Sequence, residues 1–300
     1  MRTVPPAGLT VRPLRADDAA AVVALTNACE LADLGETLAE FDDVVADWHR
    51  PSFDLATDSV GVFDGPDLVG YAEVYRARRA EAYVRPERRG AGIGTWLAGW
   101  TREQARAAGG RLVGQTLPAG NTGAVGMFTA LGYTPRWTTW VLALPRDAEP
   151  PTAPPPPGVT IREYEDGDGA AAYRTIEDAF GEWPDREPTT YGDWAAGVLE
   201  RTGFAPWQVQ LAVADGVVVG ACHVIVSGDG VGWVNQLAVR RDHRGRGIAR
   251  ALLAAAFAAT RAQGASGAEL STDSRTGALD LYLHLGMRVR QTFTHYAVEL

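Results

Sequence analysis

The 300-residue sequence contains no lysine, two cysteines and three methionines. Without lysine there is no Schiff-base chemistry and no Gly-Lys-Ser/Thr phosphate loop, and all 28 basic residues are arginine. Cys29 and Cys222 stand alone, with no Cys-x-x-Cys spacing. Neither a disulfide framework nor a zinc site is expected from them, and no metal centre is expected at all. Long hydrophobic runs are missing too. The apolar stretch 251–259 is too short to span a bilayer, and residues 1–6 lack the apolar core of a secretory signal. Positive charge is in deficit: the net charge of −9 argues against nucleic acid or an anionic membrane as the main partner. A cytoplasmic protein is the resulting expectation.

What the chain does have is an ordinary globular composition, 46% apolar and 22% charged, in a length that suits two domains. Pro150, Pro151 and Pro154 to Pro157 crowd the midpoint. Consecutive prolines favour extended backbone and are excluded from helix interiors and central strands. Residues 146–158 therefore read as a linker between an N-terminal domain, 1–145, and a C-terminal domain, 159–300.

Similar elements recur in the same order on either side of that linker. Opening strands at 10–15 and 160–164 lead to helices at 19–30 and 169–180. Acidic residues precede both helices (Asp17 and Asp18, then Asp166 and Asp168), where carboxylates suit the positive end of the helix dipole. Second helices follow at 37–48 and 191–201. Asp64-Gly65 and Asp215-Gly216 then separate alternating apolar runs, a strong hairpin signal. A further strand (80–84 and 231–239), a glycine-rich loop, a helix (93–108 and 248–263) and a strand (111–116 and 268–272) come next. A short helix and a closing strand (138–144 and 292–300) complete each copy. The predicted fold is α/β of the α+β kind: two tandem domains, each a mixed, mostly antiparallel sheet flanked by helices.

The glycine-rich loops carry the chemistry. Arg89-Gly90-Ala91-Gly92-Ile93-Gly94 and Arg244-Gly245-Arg246-Gly247-Ile248-Ala249 share the form Arg-x-x-Gly-x-Gly/Ala, half a chain apart. Each joins a strand to an apolar helix. Backbone N–H groups at a helix N-terminus form an anion cradle, and glycine lets a phosphate approach closely. Neither loop has the Gly-x-Gly-x-x-Gly spacing of a dinucleotide fold, and each follows several strands rather than one. Together with the strand order and the closing phrases Met127–Tyr133 and Leu281–Met287, this pattern resembles the GCN5-related N-acetyltransferase (GNAT) superfamily over nearly all of both halves.

That resemblance implies a set of roles. The amides of Gly245, Arg246, Gly247, Ile248 and Ala249 would hold the pyrophosphate of acetyl-CoA or another acyl-CoA, with Arg244 and Arg246 adding charge. Arg89, Gly90, Gly92 and Gly94 are their counterparts in the first half. The backbone of Leu237, Ala238 and Val239 would pair with the pantetheine arm, on a strand that splays from its neighbour. Tyr282 would protonate the departing thiolate, since a phenol with a pKa of ~10 is neutral at pH 7. Its other reading is a core residue on the apolar face with Leu279 and Leu283. Phe128 holds the corresponding place in the first half and has no proton to give. The N-terminal domain is therefore expected to be catalytically degenerate and the C-terminal domain catalytic.

A glutamate base is usual in the strand before the loop, but 232–237 contains no carboxylate. Asn235 or Gln236 positioning a water, or His223 on the preceding strand, are the substitutes on offer. Glu182, Trp183 and Tyr191, in and after the acidic and aromatic segment 180–187, would border the acceptor, where carboxylate and ring suit an amine. The same residues read equally as a solvated loop anchored by tryptophan. The expected activity is direct acetyl transfer to a primary amine of a small molecule, by a monomer or homodimer. An antibiotic-modifying enzyme and a non-catalytic acyl-CoA sensor are the alternatives.

Overall fold

The computed structural model describes residues 6–145, 148, 152–183, 186, 188–228 and 230–300. The linker prolines Pro150 and Pro151 lie outside the described residues, as do residues 1–5 and Pro184, Asp185 and Glu187 of the acidic segment. The chain forms two compact units, one of 1–138 with 292–300 and one of 139–291.

The first unit runs β1 (Thr10–Arg12), α1 (Ala19–Leu34), α2 (Phe41–Trp48), α3 (Leu55–Asp58), β2 (Ser59–Asp64), β3 (Asp67–Tyr75), β4 (Arg79–Val84), α4 (Ile93–Ala107), β5 (Leu112–Pro118) and α5 (Thr122–Ala130), after which β6 (Thr134–Leu144) leaves it. The second repeats the order as β7 (Val159–Glu163), α6 (Gly169–Phe180), α7 (Tyr191–Val198), β8 (Val209–Ala214), β9 (Val217–Val226), β10 (Val231–Val239), α8 (Ile248–Ala262), β11 (Gly267–Asp273) and α9 (Leu279–His284), and β12 (Arg288–Glu299) ends the chain. Where α3 precedes β2, a single 3-10 turn, Pro206–Gln208, precedes β8.

The duplication extends to single side chains. Arg12 grips Asp18 through two hydrogen bonds, 2.7 and 2.9 Å, and Arg162 grips Asp168 at 2.6 and 2.9 Å. Both carboxylates also accept a backbone N–H, from Arg15 and Glu165, and so start the first helix of each unit. The paired guanidinium holds each aspartate below the ordinary carboxylate range. Val22, Leu25 and Cys29 of α1, spaced three and four apart, then bury one face among Phe63 and Tyr71.

The sheets follow the expected pattern, antiparallel apart from the parallel pairs β4–β5 and β10–β11. The closing strands differ from expectation. Residues 139–144 pair with β11 in the second unit, and 293–299 pair with β5 in the first. Each unit thus takes its last strand from the other half of the sequence, and the boundary falls at Thr139 rather than in the proline run. A strand's own alternation fixes which face it buries, not which neighbour it joins. In the second unit the largest core cluster gathers Leu142, Val219, Val224, Leu252, Leu253, Phe257, Leu270 and Tyr282 between α8 and the sheet.

Candidate active site

In the second unit β10 and β11 pair in parallel only from Val231–Gly267 to Val234–Leu270. A bulge at Asn235 interrupts the pairing of β10 with β9, which resumes at Gln236–His223 and continues to Val239–Gly220. Beyond the bulge β10 therefore keeps one neighbour and parts from the other. A bulge increases local twist and turns the strand away, which leaves a row of backbone groups on one edge unpaired. Strand alternation puts the N–H and C=O of Leu237 and Val239 on that edge. The Val239 carbonyl accepts from Arg244 Nε at 2.9 Å, whereas among the described residues no side chain bonds to Leu237.

The strand turns into α8 through glycines with positive φ, Gly245 at 73° and Gly247 at 88°, the latter at the N-cap. No atom lies within 4 Å of where a Cβ would stand on either. The first unit repeats this at Gly90 (φ 80°) and Gly92 (φ 81°), again with open space. Left-handed backbone excludes most side chains, and the vacant space above it admits an anion against the amides of the helix N-terminus. These residues fit a pyrophosphate.

Arg244 is not a free cation. Its two terminal nitrogens bond to both Glu182 oxygens at 2.8 and 2.9 Å, and the guanidinium lowers the Glu182 pKa. The pair fastens the glycine loop to the segment that follows α6. Arg89 does the same with Asp33 at the end of α1, at 2.7 and 2.9 Å. Trp183 stacks on Phe180 with centroids 4.4 Å apart, and the guanidinium carbon of Arg275, beyond β11, lies 5.5 Å from its ring centre. Glu182 and Trp183 thus engage residues beyond both strands that border the opening.

Tyr191 is elsewhere. It starts α7, packs against Tyr173, and brings its hydroxyl over Gly169 at the first turn of α6. Glu182 follows the last turn, roughly 17 Å away at 1.5 Å per residue. The three expected acceptor contacts do not converge.

Tyr282 lies on α9, 7% exposed, within the same core cluster as Cys222, against which Leu237 also packs. Burial first, and the neighbouring Cys222 second, push its pKa up to about 12. Among the described residues its hydroxyl has no hydrogen-bond partner. His223 is 1% exposed, and burial, then the charge of Arg201, pulls its pKa down to about 3. Its Nδ1 sits 3.5 Å from Asn235 Nδ2, and its Nε2 is buried with no partner among the described residues. A neutral imidazole that resists protonation this strongly is a poor general base, because the base must hold the proton it removes. Asn235, exposed at the bulge, stays available to orient a water. Gln236 is occupied, accepting from Trp194 Nε1 at 3.0 Å.

The first unit opens further. Its parallel pairing consists of Arg79–Gly114 alone, and a cavity of about 650 Å³ follows the gap. Arg89, Gly90, Gly92, Gly94, Ala82, Tyr83 and Val84 line it, with Phe128 where the second unit has Tyr282. The cavity belongs to the half without the phenol.

The sequence reading missed two carboxylates here. Glu73 and Glu81 face each other across β3 and β4, at the register places held by His223 and Gln236 in the second unit. Burial raises Glu73 to about 7, and it accepts from Trp48 Nε1 at 2.7 Å and from the Tyr75 hydroxyl. Glu81 is bonded to Arg79 at 2.8 Å. The signal was the period-two series Tyr71, Glu73, Tyr75 opposite Arg79, Glu81, Tyr83. Among the described residues, no group of three or more His, Cys, Asp or Glu could hold a metal ion. No described helix is long and apolar enough to cross a membrane.

Two splayed parallel pairs, each followed by a glycine-rich helix N-terminus, define an acyl-CoA-dependent acetyltransferase fold. The profile of the Acetyltransferase (GNAT) family matches residues 24–133 and 170–287, and the chain belongs to that family, with the domain present twice. Among curated relatives, the mycothiol acetyltransferase of Sanguibacter keddieii is 30% identical over 297 residues, covering 91% of each chain. The protein of the same name from Thermobispora bispora is 28% identical, covering 94% of this chain and 95% of its own. Among solved structures, a GCN5-related N-acetyltransferase from Sphaerobacter thermophilus superimposes with a TM-score of 0.79 at 34% identity, over 99% of this chain and 97% of its own. A tandem GNAT protein from the clavulanic acid biosynthesis pathway has the same fold, with a TM-score of 0.75 at 19% identity, over 97% and 98%. The protein is an acetyltransferase of this family, and its donor is acetyl-CoA or another acyl-CoA.

Proposed function

We propose that the protein transfers an acyl group, acetyl first, from CoA to a primary amine of a small molecule, and that the reaction runs in the cleft of the second unit. Tyr282 carries this reading. It is a buried phenol whose hydroxyl has no partner among the described residues, in the unit where no described side chain bonds to Leu237 either. Bound acyl-CoA supplies an activated thioester carbonyl. The chain's own residues then have separate tasks. The amides of 245–249 hold the pyrophosphate, with charge from Arg246. The N–H of Leu237 or Val239 donates to the carbonyl oxygen as negative charge develops there. Tyr282, kept neutral by burial, gives its proton to the leaving sulfur. Asn235 orients a water at the mouth that takes the amine's proton as the C–N bond forms, and solvent returns a proton to Tyr282 once the thiol has left. With no carboxylate on β10, the amine enters from its neutral fraction in solution.

The name shared by the two relatives makes a mycothiol-type amine the first acceptor to test. The absence of a carboxylate on β10 keeps aminoglycosides and other small amines in the panel. Thiol release from acetyl-CoA is measured against that panel, with CoA binding measured in parallel. Turnover with any amine supports the enzyme. Tight CoA binding without turnover across the whole panel replaces it with an acyl-CoA-binding sensor.

A further inference from the structure

The two clefts differ at one register position. On the buried face of β5, between Val113 and Leu117, the first unit has Gln115; on the matching buried face of β11, between Ala268 and Thr272, the second has Leu270. Gln115 is 8% exposed and lines the 650 Å³ cavity. Its Nε2 donates to the Ala82 carbonyl at 2.8 Å, across the gap between β5 and β4. Ala82 lies three residues beyond the last pair on its strand, as Leu237 does on β10. Leu270 is buried and apolar, has no side-chain donor, and leaves the Leu237 carbonyl to other partners.

We propose that Gln115 determines which cleft takes acyl-CoA, its carboxamide standing in for the pantetheine amide and making the first cleft the weaker site. This rests on the acyl-CoA reading of both loops. The physical basis is competition for one acceptor. A strand edge binds an extended ligand by offering unpaired N–H and C=O groups. Where a protein amide already satisfies the carbonyl, an incoming amide N–H gains only the difference between two similar bonds. The net worth of one such hydrogen bond corresponds to roughly two- to tenfold in affinity. Among the described residues the second cleft has no such competitor at Leu237, so ligand pairing there is an added bond rather than an exchange.

Hydrogen exchange of the full chain during a CoA titration reads the two sites separately, through peptides covering 80–98 and 235–253. In the wild type, half-protection of 235–253 is expected at lower CoA than that of 80–98. Gln115→Ser should lower the midpoint of 80–98 two- to tenfold and leave 235–253 unmoved. Gln115→Asn, one methylene too short to reach Ala82, should do the same. If both Gln115 variants leave the 80–98 midpoint unchanged or raise it, Gln115 does not compete and the proposal falls, with the acyl-CoA reading intact. If neither window is protected in any variant, the reading of the loops falls, and this proposal with it.

Discussion

The guanidinium of Arg244 lies flat against the carboxylate of Glu182, two hydrogen bonds of 2.8 and 2.9 Å joining the cofactor loop to the segment after α6. The pair is bidentate, and the arginine's remaining Nε–H is spent on the Val239 carbonyl. Three of the five N–H groups of this side chain thus fix the loop, a geometry that lysine cannot reproduce. On the proposed acyl-CoA reading of the loop, Glu182 serves the donor side of the site, through Arg244.

Glu182→Ala should therefore raise the KM for acetyl-CoA several-fold and leave the KM for the amine within about twofold. Steady-state kinetics with each substrate varied in turn makes the check. An acceptor contact would give the reverse pattern. Arg244→Lys should behave like Glu182→Ala, because both remove the clamp.

Glu73 and His223 occupy the same register place in the two units, and their titrations pull stability in opposite directions. His223 is neutral in the folded state, with its pKa near 3 against an ordinary 6.5. The unfolded chain binds a proton that the folded chain refuses, so stability is full above about pH 6.5 and falls as pH drops toward 3. Glu73, raised to about 7, holds a proton in the folded state that the unfolded chain releases above its ordinary 4.5. Its contribution is full below about pH 4.5 and is lost as pH rises through 7. Urea unfolding from pH 5 to 8 should show His223→Gln flattening the acid side of the profile, by about 2 kcal/mol at pH 5. Glu73→Gln should flatten the alkaline side.

The glycine loops differ in what they serve. Gly92 and Gly247 both sit at an N-cap with positive φ, where alanine costs roughly 1–2 kcal/mol of backbone strain. Gly247→Ala should raise the KM for acetyl-CoA about tenfold. Gly92→Ala should lower the melting temperature comparably while leaving kcat/KM within a factor of about two. Loss of activity from Gly92→Ala alone would move the reaction into the first unit.

Much of this was legible in the residues. The paired loops, the Asp-Gly hairpins and the acidic helix starts are local signals, and the repeated element order follows from them. Tyr282 and Phe128 were found through the repeated closing phrase. The exchange of closing strands was not legible, because β6 and β12 carry the same alternation and their partners lie far away in the chain. Nor was the engagement of Arg244 by Glu182, or that of Ala82 by Gln115. Both depend on where a strand pair ends and what its departure leaves within reach. The period-two series placing Glu73 and Glu81 opposite each other was readable but was outweighed by the irregular look of residues 80–84.

Tyr282 is the residue on which acyl transfer in the second cleft depends most directly. The direct measurement is kcat for thiol release from acetyl-CoA by Tyr282→Phe, with the best amine of the panel, alongside its CoA dissociation constant. The predicted result is a kcat lowered about 10²-fold or more, as befits a lost general acid, with CoA affinity within about twofold of the wild type. A kcat that matches the wild type would contradict it: proton delivery, and with it the second cleft as the place of reaction, would lose its support.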